Sequence, residues 1–257
     1  MKPVSISCHV SGSGGPAVVL AHAIGCDHRM WDDLEKRLAP SFHVINIDAR
    51  GHGSSPVPPR PYSLGALAED VRALLDRLGV AKAHWVGLSM GGMVGQAFAL
   101  AHPGRLERLV IANSTASYGV EGHTLWHNRI KLVEEGGLAA IRDMVAQRYF
   151  SDAFRREHAD VVSKVMARFM ETPVEGYLGC CDAIRELDFS SHLKSIHAPT
   201  LVIAGSEDAG TPVAMSQAIA KGIPGAKLEV IQGAAHLSAV EKPGEFAELV
   251  NDFIAAR

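Results

Sequence analysis

The chain has 257 residues, 47% of them hydrophobic, and its 25 basic and 28 acidic side chains leave a formal net charge of −3. This near balance gives no basic field for nucleic acid and no polybasic patch for a membrane surface. High apolar content with a small net charge also excludes a disordered chain, and the length predicts one domain of ordinary size, alone or with an insertion.

The beginning of the chain and its cysteines predict a cellular location. The first residues lack the long apolar stretch of a secretory signal, and no apolar run is long enough to span a bilayer. Cys8, Cys26, Cys180 and Cys181 include no C-x-x-C pair, so the spacing of metal ligands is absent. We therefore expect free thiols, a cytoplasmic protein, and neither nucleic acid nor membrane as a partner. A homo-oligomer is compatible with the sequence.

Short apolar runs alternate with helical patterns along the chain. Six runs predict strands, at 17–22, 43–48, 84–88, 108–113, 200–205 and 227–232. Most are continuous apolar stretches, which is typical of strands buried on both faces. Leucine and valine recur at helical spacing over 63–80, behind a serine N-cap, and 243–257 predicts a closing amphipathic helix. This alternation predicts the α/β class, with a mostly parallel sheet flanked by helices.

The strand pattern is interrupted in the middle of the chain. It stops after residue 113 and resumes at residue 200. The stretch 117–188 contains four helical patterns and no convincing strand. We therefore predict an α/β core formed by residues 1–116 and 189–257, into which a helical cap over 117–188 is inserted.

The stretch GLSMG at 87–91 predicts a nucleophile. It follows a predicted strand and opens a predicted helix, which is the context in which G-x-S-x-G is informative. The sharp turn leaves no room for side chains at Gly87 and Gly91. It lifts the Ser89 hydroxyl above the sheet at a helix N-terminus, where backbone N–H groups favour developing negative charge. The alternative is an inert serine at a junction that tolerates glycine.

A serine hydroxyl is a weak nucleophile until a base takes its proton. In this topology the acid and the histidine follow the nucleophile in the order Ser, Asp, His. Asp208 and His236 each come just beyond a predicted strand, with Glu207 as a competitor for the acid. Because parallel strands end at one edge of the sheet, both are predicted to meet Ser89, with His236 as the base and Asp208 as its orienting acid.

A tetrahedral intermediate needs two donors for its oxyanion. One predicted donor is the backbone N–H of Met90, directly after the nucleophile. The other is the N–H of Ile24, with Ala23 as the second choice, in the loop that follows the first predicted strand. His22 is expected to shape that loop, and His52, in the turn DARGHGSS, is expected to have a structural role.

Five segments in this order, AHAIG, DARGHGSS, GLSMGG, GSEDAGTP and AAHLSAVEKP, resemble the α/β-hydrolase fold enzymes over nearly the whole chain. Within that superfamily the sequence is most similar to 3-oxoadipate enol-lactonases, above all in GYLGCCDAIRELDF of the predicted cap. The resemblance implies ring opening of a small enol-lactone in aromatic-compound catabolism, with no metal and no organic cofactor. One departure is His22-Ala23, where the oxyanion loop usually has His-Gly.

A lactone with a free carboxylate requires a cation or other donors in its pocket. Trp126 and Arg129, three residues apart on one predicted helix, are the pair expected to face the substrate together. The alternative for any one cap cation is a solvated helix face. Candidates among the cations of the predicted cap are Arg129, Lys131, Arg142, Arg148, Arg168 and Arg185.

Several functions are compatible with these residues, each with a small molecule as the partner. The first is hydrolysis of a small lactone or ester through an acyl-enzyme, with 3-oxoadipate enol-lactone as the expected substrate. The second is a broad carboxylesterase, with or without perhydrolase activity. A C–C bond hydrolase and a non-catalytic small-molecule receptor are further alternatives, because a fold does not settle function.

Overall fold

Six of the seven strands match predicted runs to within two residues at either end. The computed structural model describes residues 2–12 and 14–256, so Met1, Ser13 and Arg257 of the predicted core lie outside it. The strands are β1 (Cys8–Ser11), β2 (Ala17–Ala21), β3 (His43–Ile47), β4 (Ala83–Leu88), β5 (Leu106–Ala112), β6 (Thr200–Gly205) and β7 (Lys227–Ile231).

The strands form one sheet in the order β1-β3-β2-β4-β5-β6-β7. All neighbouring pairs are parallel except β1 and β3. Strands β2, β4 and β6 are buried along their whole length, which explains their continuous apolar sequences. The sequence did not predict β1, because this four-residue edge strand is half exposed and contains no apolar run.

Helices flank the sheet and fill the predicted insertion. Helix α1 packs on α11, and α2 packs on α3, which also contacts β2, β4 and β5. Within the described residues, none of the helices is long and apolar enough to cross a membrane. The helices are α1 (Asp32–Leu38), α2 (Leu64–Arg77), α3 (Met90–Ala101), α4 (Gly119–Gly136), α5 (Arg142–Tyr149), α6 (Asp152–Glu157), α7 (Ala159–Glu171), α8 (Val174–Arg185), α9 (Val213–Gly222), α10 (Ser238–Glu241) and α11 (Pro243–Ala255).

Helices α4 to α8 lie between β5 and β6 in the chain, where the helical cap is predicted. An isolated antiparallel bridge pairs Ser117 with Asp188, so the two ends of this stretch lie side by side. Helix α4 packs on α8, and α5 packs on α7. One of the four helical patterns predicted for this stretch, over 138–150, is divided into a 3-10 turn at Leu138–Ile141 and α5.

The glycines of the cap motif GYLGCC let α8 lie directly against the core. A Cβ on Gly176 would lie 2.0 Å from the carbonyl oxygen of Gly51, and a Cβ on Gly179 would lie 2.6 Å from the ring of Tyr62. Such distances are too short for any side chain. Cys180 and Cys181 are fully buried beside them as free thiols. This motif therefore packs the cap onto the loop that follows β3.

Candidate active site

Ser89 stands alone between β4 and α3, in a strained backbone conformation. Its φ is 56° and its ψ is −115°, a region that residues other than glycine rarely occupy. A Cβ on Gly87 would lie 2.2 Å from the carbonyl oxygen of Gly91, and a Cβ on Gly91 would lie 2.0 Å from that of Ala21 in β2. The glycines around the serine are therefore required by the close approach of α3 to the sheet.

The three residues predicted as a triad lie together at the carboxyl ends of β4, β6 and β7. His236 Nε2 lies 2.8 Å from Ser89 Oγ, and His236 Nδ1 lies 2.8 Å from Asp208 Oδ2. All three side chains are buried. Glu207, the alternative acid, is exposed, and the imidazole is bonded to Asp208 instead. The imidazole therefore lies between a hydroxyl and a carboxylate, as proton transfer from the hydroxyl requires.

The Asp208 carboxylate is surrounded by donors. It accepts hydrogen bonds from the backbone N–H of Gly210 at 2.7 Å, from the N–H and hydroxyl of Thr211 at 2.9 and 2.7 Å, and from Asn113 Nδ2 at 3.0 Å. Burial alone would raise the pKa of Asp208, but the imidazole of His236 and these donors outweigh it and hold that pKa well below its ordinary value. The carboxylate is therefore ionised at neutral pH.

Asn113 is a site residue that the sequence analysis missed. It directly follows β5, and its φ of 44° is, with that of Ser89, one of the two positive values among the described non-glycine residues. Its amide group donates to Asp208 and to the carbonyl oxygen of Ala235, and its side-chain oxygen accepts from the hydroxyl of Ser238. Asn113 thereby links the Asp208 carboxylate to Ala235 and Ser238, which lie on either side of His236 in the chain. An asparagine directly after a buried strand is the signal that could have found it.

The loop after β2 forms a turn in which the N–H of Cys26 donates to the carbonyl oxygen of Ala23 at 3.1 Å. Gly25 has a φ of +72°, whereas Ala23 does not have a positive φ, so alanine carries no backbone strain in place of the usual glycine. In the described part of the chain, the N–H groups of Ile24 and Met90 donate to no protein atom. Both predicted donors are therefore available to a ligand.

Trp126 and Arg129 are both buried on α4, and the Arg129 guanidinium lies 4.9 Å from the centre of the Trp126 ring. Within residues 2–12 and 14–256, no carboxylate forms an ion pair with Arg129, and the buried Nε1 of Trp126 has no hydrogen-bond partner. A buried cation and a buried donor thus lie side by side without an acceptor of matching charge.

The other predicted cap cations differ from Arg129 in their surroundings. Arg148 donates to the carbonyl oxygen of Gly210, beside the acid, and also has no carboxylate partner among the described side chains. The remaining four form ion pairs with acidic residues: Lys131 with Glu135, Arg142 with Asp143, Arg168 with Asp32, and Arg185 with Asp182 and Glu186. The acidic partners of these four are exposed except Asp182, so most of these ion pairs lie at the surface.

One group of metal-type ligand atoms occurs among the described residues, formed by Asp27, His28 and Asp48. Its acceptors are already used by protein donors. Asp27 binds the guanidinium of Arg29, and Asp48 accepts from the backbone N–H of His28 and Ser54, with the His28 ring 2.9 Å away. This group therefore braces the two loops, and both carboxylates already accept hydrogen bonds from protein donors.

The sheet order, the strained Ser89 and the buried hydrogen bonds that join Ser89, His236 and Asp208 are typical of one class of hydrolases. The chain belongs to the alpha/beta hydrolase fold family, whose model matches residues 16–243. This confirms the predicted fold class and family.

The relatives of this chain carry more specific names. It is 37% identical to 3-oxoadipate enol-lactonase 2 of Acinetobacter baylyi, over 91% of this chain and 87% of that protein. It is 31% identical to the putative carbamate hydrolase RutD of Caulobacter segnis, over 94% and 92% of the two chains. The crystal structure of the enol-lactonase from Burkholderia xenovorans is 32% identical and superposes with a TM-score of 0.94, covering 98% of this chain and 96% of that one. The predicted resemblance to enol-lactonases is confirmed.

Proposed function

We propose that this protein is a serine hydrolase that opens a small lactone bearing a free carboxylate, with 3-oxoadipate enol-lactone as the substrate. The observation that carries the choice of substrate is the buried Arg129 guanidinium, which has no carboxylate partner among the described residues and lies against Trp126. The similarity to enol-lactonases supports the same choice.

The first step is ring opening. His236 Nε2 takes the proton of Ser89 Oγ as this oxygen attacks the lactone carbonyl carbon. The N–H groups of Ile24 and Met90 bind the resulting oxyanion. The ring C–O bond then breaks, the departing enol oxygen receives the proton from His236, and the enol tautomerises to a ketone, which draws the reaction forward. An acyl-enzyme on Ser89 remains.

The second step releases the acid. His236 removes a proton from a water molecule, whose oxygen attacks the acyl carbonyl, and the returning proton restores the Ser89 hydroxyl. Asp208 stays ionised throughout, because its donors hold its pKa well below neutrality. It stabilises the imidazolium that forms in each step. The balance is one lactone and one water for one dicarboxylic keto acid.

The carboxylate of the substrate would be the ion-pair partner that Arg129 lacks among the described residues. An unpaired buried charge is costly, and removing the partner of a buried cation is strongly destabilising. A planar carboxylate matches the fork of a guanidinium, and the free Nε1–H of Trp126 is a second donor beside it. A substrate with a carboxylate is therefore bound in preference to a neutral ester of the same size.

A groove beside Arg129 supports entry of such a substrate from the cap side. It has a volume of about 560 Å³, and it lies between α4 and α5. Its walls include the partly exposed apolar side chains of Leu132 and Met144, and it reaches Arg148 and Ala209, which directly follows Asp208. An apolar groove with two cations that have no carboxylate partner among the described residues attracts a small organic anion.

The deciding experiment compares an anionic with a neutral substrate. We expect Arg129→Met to lower kcat/KM for the lactone about 100-fold, because a charge pair in a buried site is lost, and to leave p-nitrophenyl butyrate within about 3-fold. Arg142→Met, which removes an exposed cation of the same cap, is the matched control and should change neither substrate. An equal loss on both substrates would contradict a carboxylate site at Arg129.

The same assay distinguishes the alternatives. Efficient turnover of neutral esters with negligible lactone opening would indicate a broad carboxylesterase, and perhydrolase activity would appear as peracid formation in hydrogen peroxide. A short carbamate belongs in the panel, because the chain is also similar to a putative carbamate hydrolase. Rates on every substrate equal to those of Ser89→Ala would indicate a receptor. Cleavage of a dienoic ketone would indicate C–C bond hydrolysis.

A further inference from the structure

The predicted second oxyanion donor belongs to a turn whose orientation depends on its surroundings. The turn runs from Ala23 to Cys26, with Gly25 in its third position at a φ of +72°. Glycine accepts either sign of φ, so the central peptide of such a turn, between Ile24 and Gly25, can rotate at low cost when nothing holds it. A turn that directs one N–H at a ligand therefore needs hydrogen bonds from outside the turn to fix the orientation of this peptide.

Both ends of that central peptide are held by side chains from elsewhere. The N–H of Gly25 donates to His52 Nε2 at 2.9 Å, and the carbonyl oxygen of Ile24 accepts a hydrogen bond from the hydroxyl of Tyr149. His52 lies in the loop after β3, whereas Tyr149 is the last residue of α5 in the cap. A hydrogen bond on each side opposes rotation of the peptide in either direction.

The preceding peptide is held by a third side chain. His22 Nδ1 lies 2.7 Å from the carbonyl oxygen of Ala23, while the N–H of Ala49 donates to His22 Nε2 at 2.9 Å. In a trans peptide the N–H points away from the C=O, so anchoring the Ala23 carbonyl directs the N–H of Ile24. With both peptides anchored, neither backbone torsion of Ile24 is free.

The hydrogen bonds require a neutral His52. Its Nε2 accepts from a backbone N–H, so the ring proton is on Nδ1, which lies 3.3 Å from the carbonyl oxygen of Arg50 and 3.9 Å from the sulfur of Cys180 in α8. Burial, reinforced by repulsion from His22, lowers the pKa of His52 to about 3, so the ring remains an acceptor at neutral pH. The side chain is fully buried and touches neither Ser89 nor His236 by a hydrogen bond.

We propose that His52 and Tyr149 are positioning residues that grip the Ile24–Gly25 peptide from opposite sides and thereby keep the N–H of Ile24 aimed at the oxyanion. This inference rests on the serine hydrolase mechanism proposed above. It gives His52, one residue of the turn DARGHGSS, a role in the chemical step. It also makes the cap necessary for the geometry of the oxyanion site, because Tyr149 belongs to α5.

The test removes the acceptor and keeps the fold. In His52→Leu, we expect kcat for p-nitrophenyl butyrate to fall about 10- to 100-fold, since one oxyanion donor loses its direction, with KM within about 3-fold. The inhibition constant of phenylboronic acid, whose adduct with serine places an oxygen at the oxyanion site, should rise by the same factor. His52→Gln restores an acceptor and should recover most of the loss.

Two matched variants separate positioning from general destabilisation. His84→Leu removes another buried histidine, near the start of β4, whose Nδ1 has no hydrogen-bond partner in the described part of the chain. This variant should leave kcat unchanged. Tyr149→Phe keeps the ring that stacks on His236 and removes only the hydroxyl that holds Ile24. We expect about a 10-fold loss of kcat with unchanged KM. This variant decides the matter if His52→Leu does not fold.

Failure of this inference and failure of the proposed function give different results. If the wild type is active and the folded variants His52→Leu and Tyr149→Phe retain its kcat and its boronate affinity, the positioning role of His52 and Tyr149 is overturned and the serine hydrolase is not. A loss of activity in His52→Leu that His52→Gln does not recover has the same consequence. If the folded wild type turns over no ester and is not labelled at Ser89 by a fluorophosphonate, the proposed serine hydrolase function is overturned, and the positioning role of His52 and Tyr149 with it.

Discussion

The two walls of the candidate site differ in how completely their polar groups are partnered. The strand-edge wall consists of Ser89, Asp208 and His236, and its carboxylate has donors on every side in the absence of any ligand. The cap wall that we propose consists of Trp126 and Arg129, a buried donor and a buried cation that find no carboxylate among the described residues. The polar groups of the strand-edge wall have their partners within the protein, whereas under the proposed function Arg129 takes its partner from the carboxylate of the substrate.

The difference teaches which task each wall performs. Groups that stabilise a transition state act best when they are fixed before the substrate arrives, because no reorganisation is then needed. Groups that select a substrate have no hydrogen-bond or charge partner until the right ligand binds, and the wrong ligand leaves them unpaired. We therefore expect changes in the strand-edge wall to act on kcat for every substrate, and changes in the cap wall to act on anionic substrates alone.

The largest expected effect lies in the strand-edge wall. Asp208→Asn should lower kcat about 10⁴-fold on lactone and ester alike, because the amide favours the wrong tautomer of His236. Glu207→Gln, one residue away and exposed, is the matched control and should stay within about 3-fold. Both are measured as kcat at saturating substrate. Loss of activity in Glu207→Gln with retention in Asp208→Asn would reverse the assignment of the acid.

The second effect concerns stability and tests whether the imidazole of His52, which holds the Ile24–Gly25 peptide beside the strand-edge wall, is neutral. The pKa of His52 is about 3 in the folded protein against 6.5 in the unfolded chain, so between these values the unfolded chain binds the extra proton. The contribution of His52 to stability is therefore complete above pH 6.5 and is lost as the pH falls. At pH 5 the loss is about 2 kcal/mol.

The measurement for this prediction is the free energy of unfolding in urea at pH 7 and pH 5, for the wild type and His52→Gln. His22, which burial also keeps at a lowered pKa, is present in both proteins and cancels in the comparison. We expect the advantage of the wild type to shrink by about 2 kcal/mol on going to pH 5. Equal changes in the two proteins would mean that His52 is not held neutral by the fold.

The smallest effect belongs to the cap wall. Trp126→Phe keeps an aromatic ring beside Arg129 and removes only the Nε1–H, so KM for the lactone should rise about 5-fold while p-nitrophenyl butyrate is unaffected. Trp31→Phe removes a buried Nε1–H that also has no partner among the described residues but lies outside the site, and it should alter neither KM. A rise in KM for both substrates would show that Trp126 packs against the acyl group and not against the carboxylate.

Much of the strand-edge wall was predictable from the sequence because its causes are local. Continuous apolar runs identify the strands buried on both faces, and Ser89, Asp208 and His236 come one, three and five residues after the ends of β4, β6 and β7. The glycines around Ser89 mark a turn that only glycine fits, so their spacing is visible without a structure. Strand β1 was not predicted, because a short, half-exposed edge strand has no apolar run to reveal it.

The sequence by itself determined the class of fold, the order of the triad and the predicted donors, because strand burial and turn sterics act over a few neighbouring residues. Only the tertiary structure decided that Asn113 supports Asp208 and that His52 and Tyr149 meet at one peptide. It also decided that, among the residues it describes, Arg129 lacks the acidic partner that most other cap cations have. The physical reason is that a hydrogen bond or an ion pair depends on which distant residue comes near. A helix that carries several cations looks the same in sequence whether a carboxylate lies opposite each of them or not.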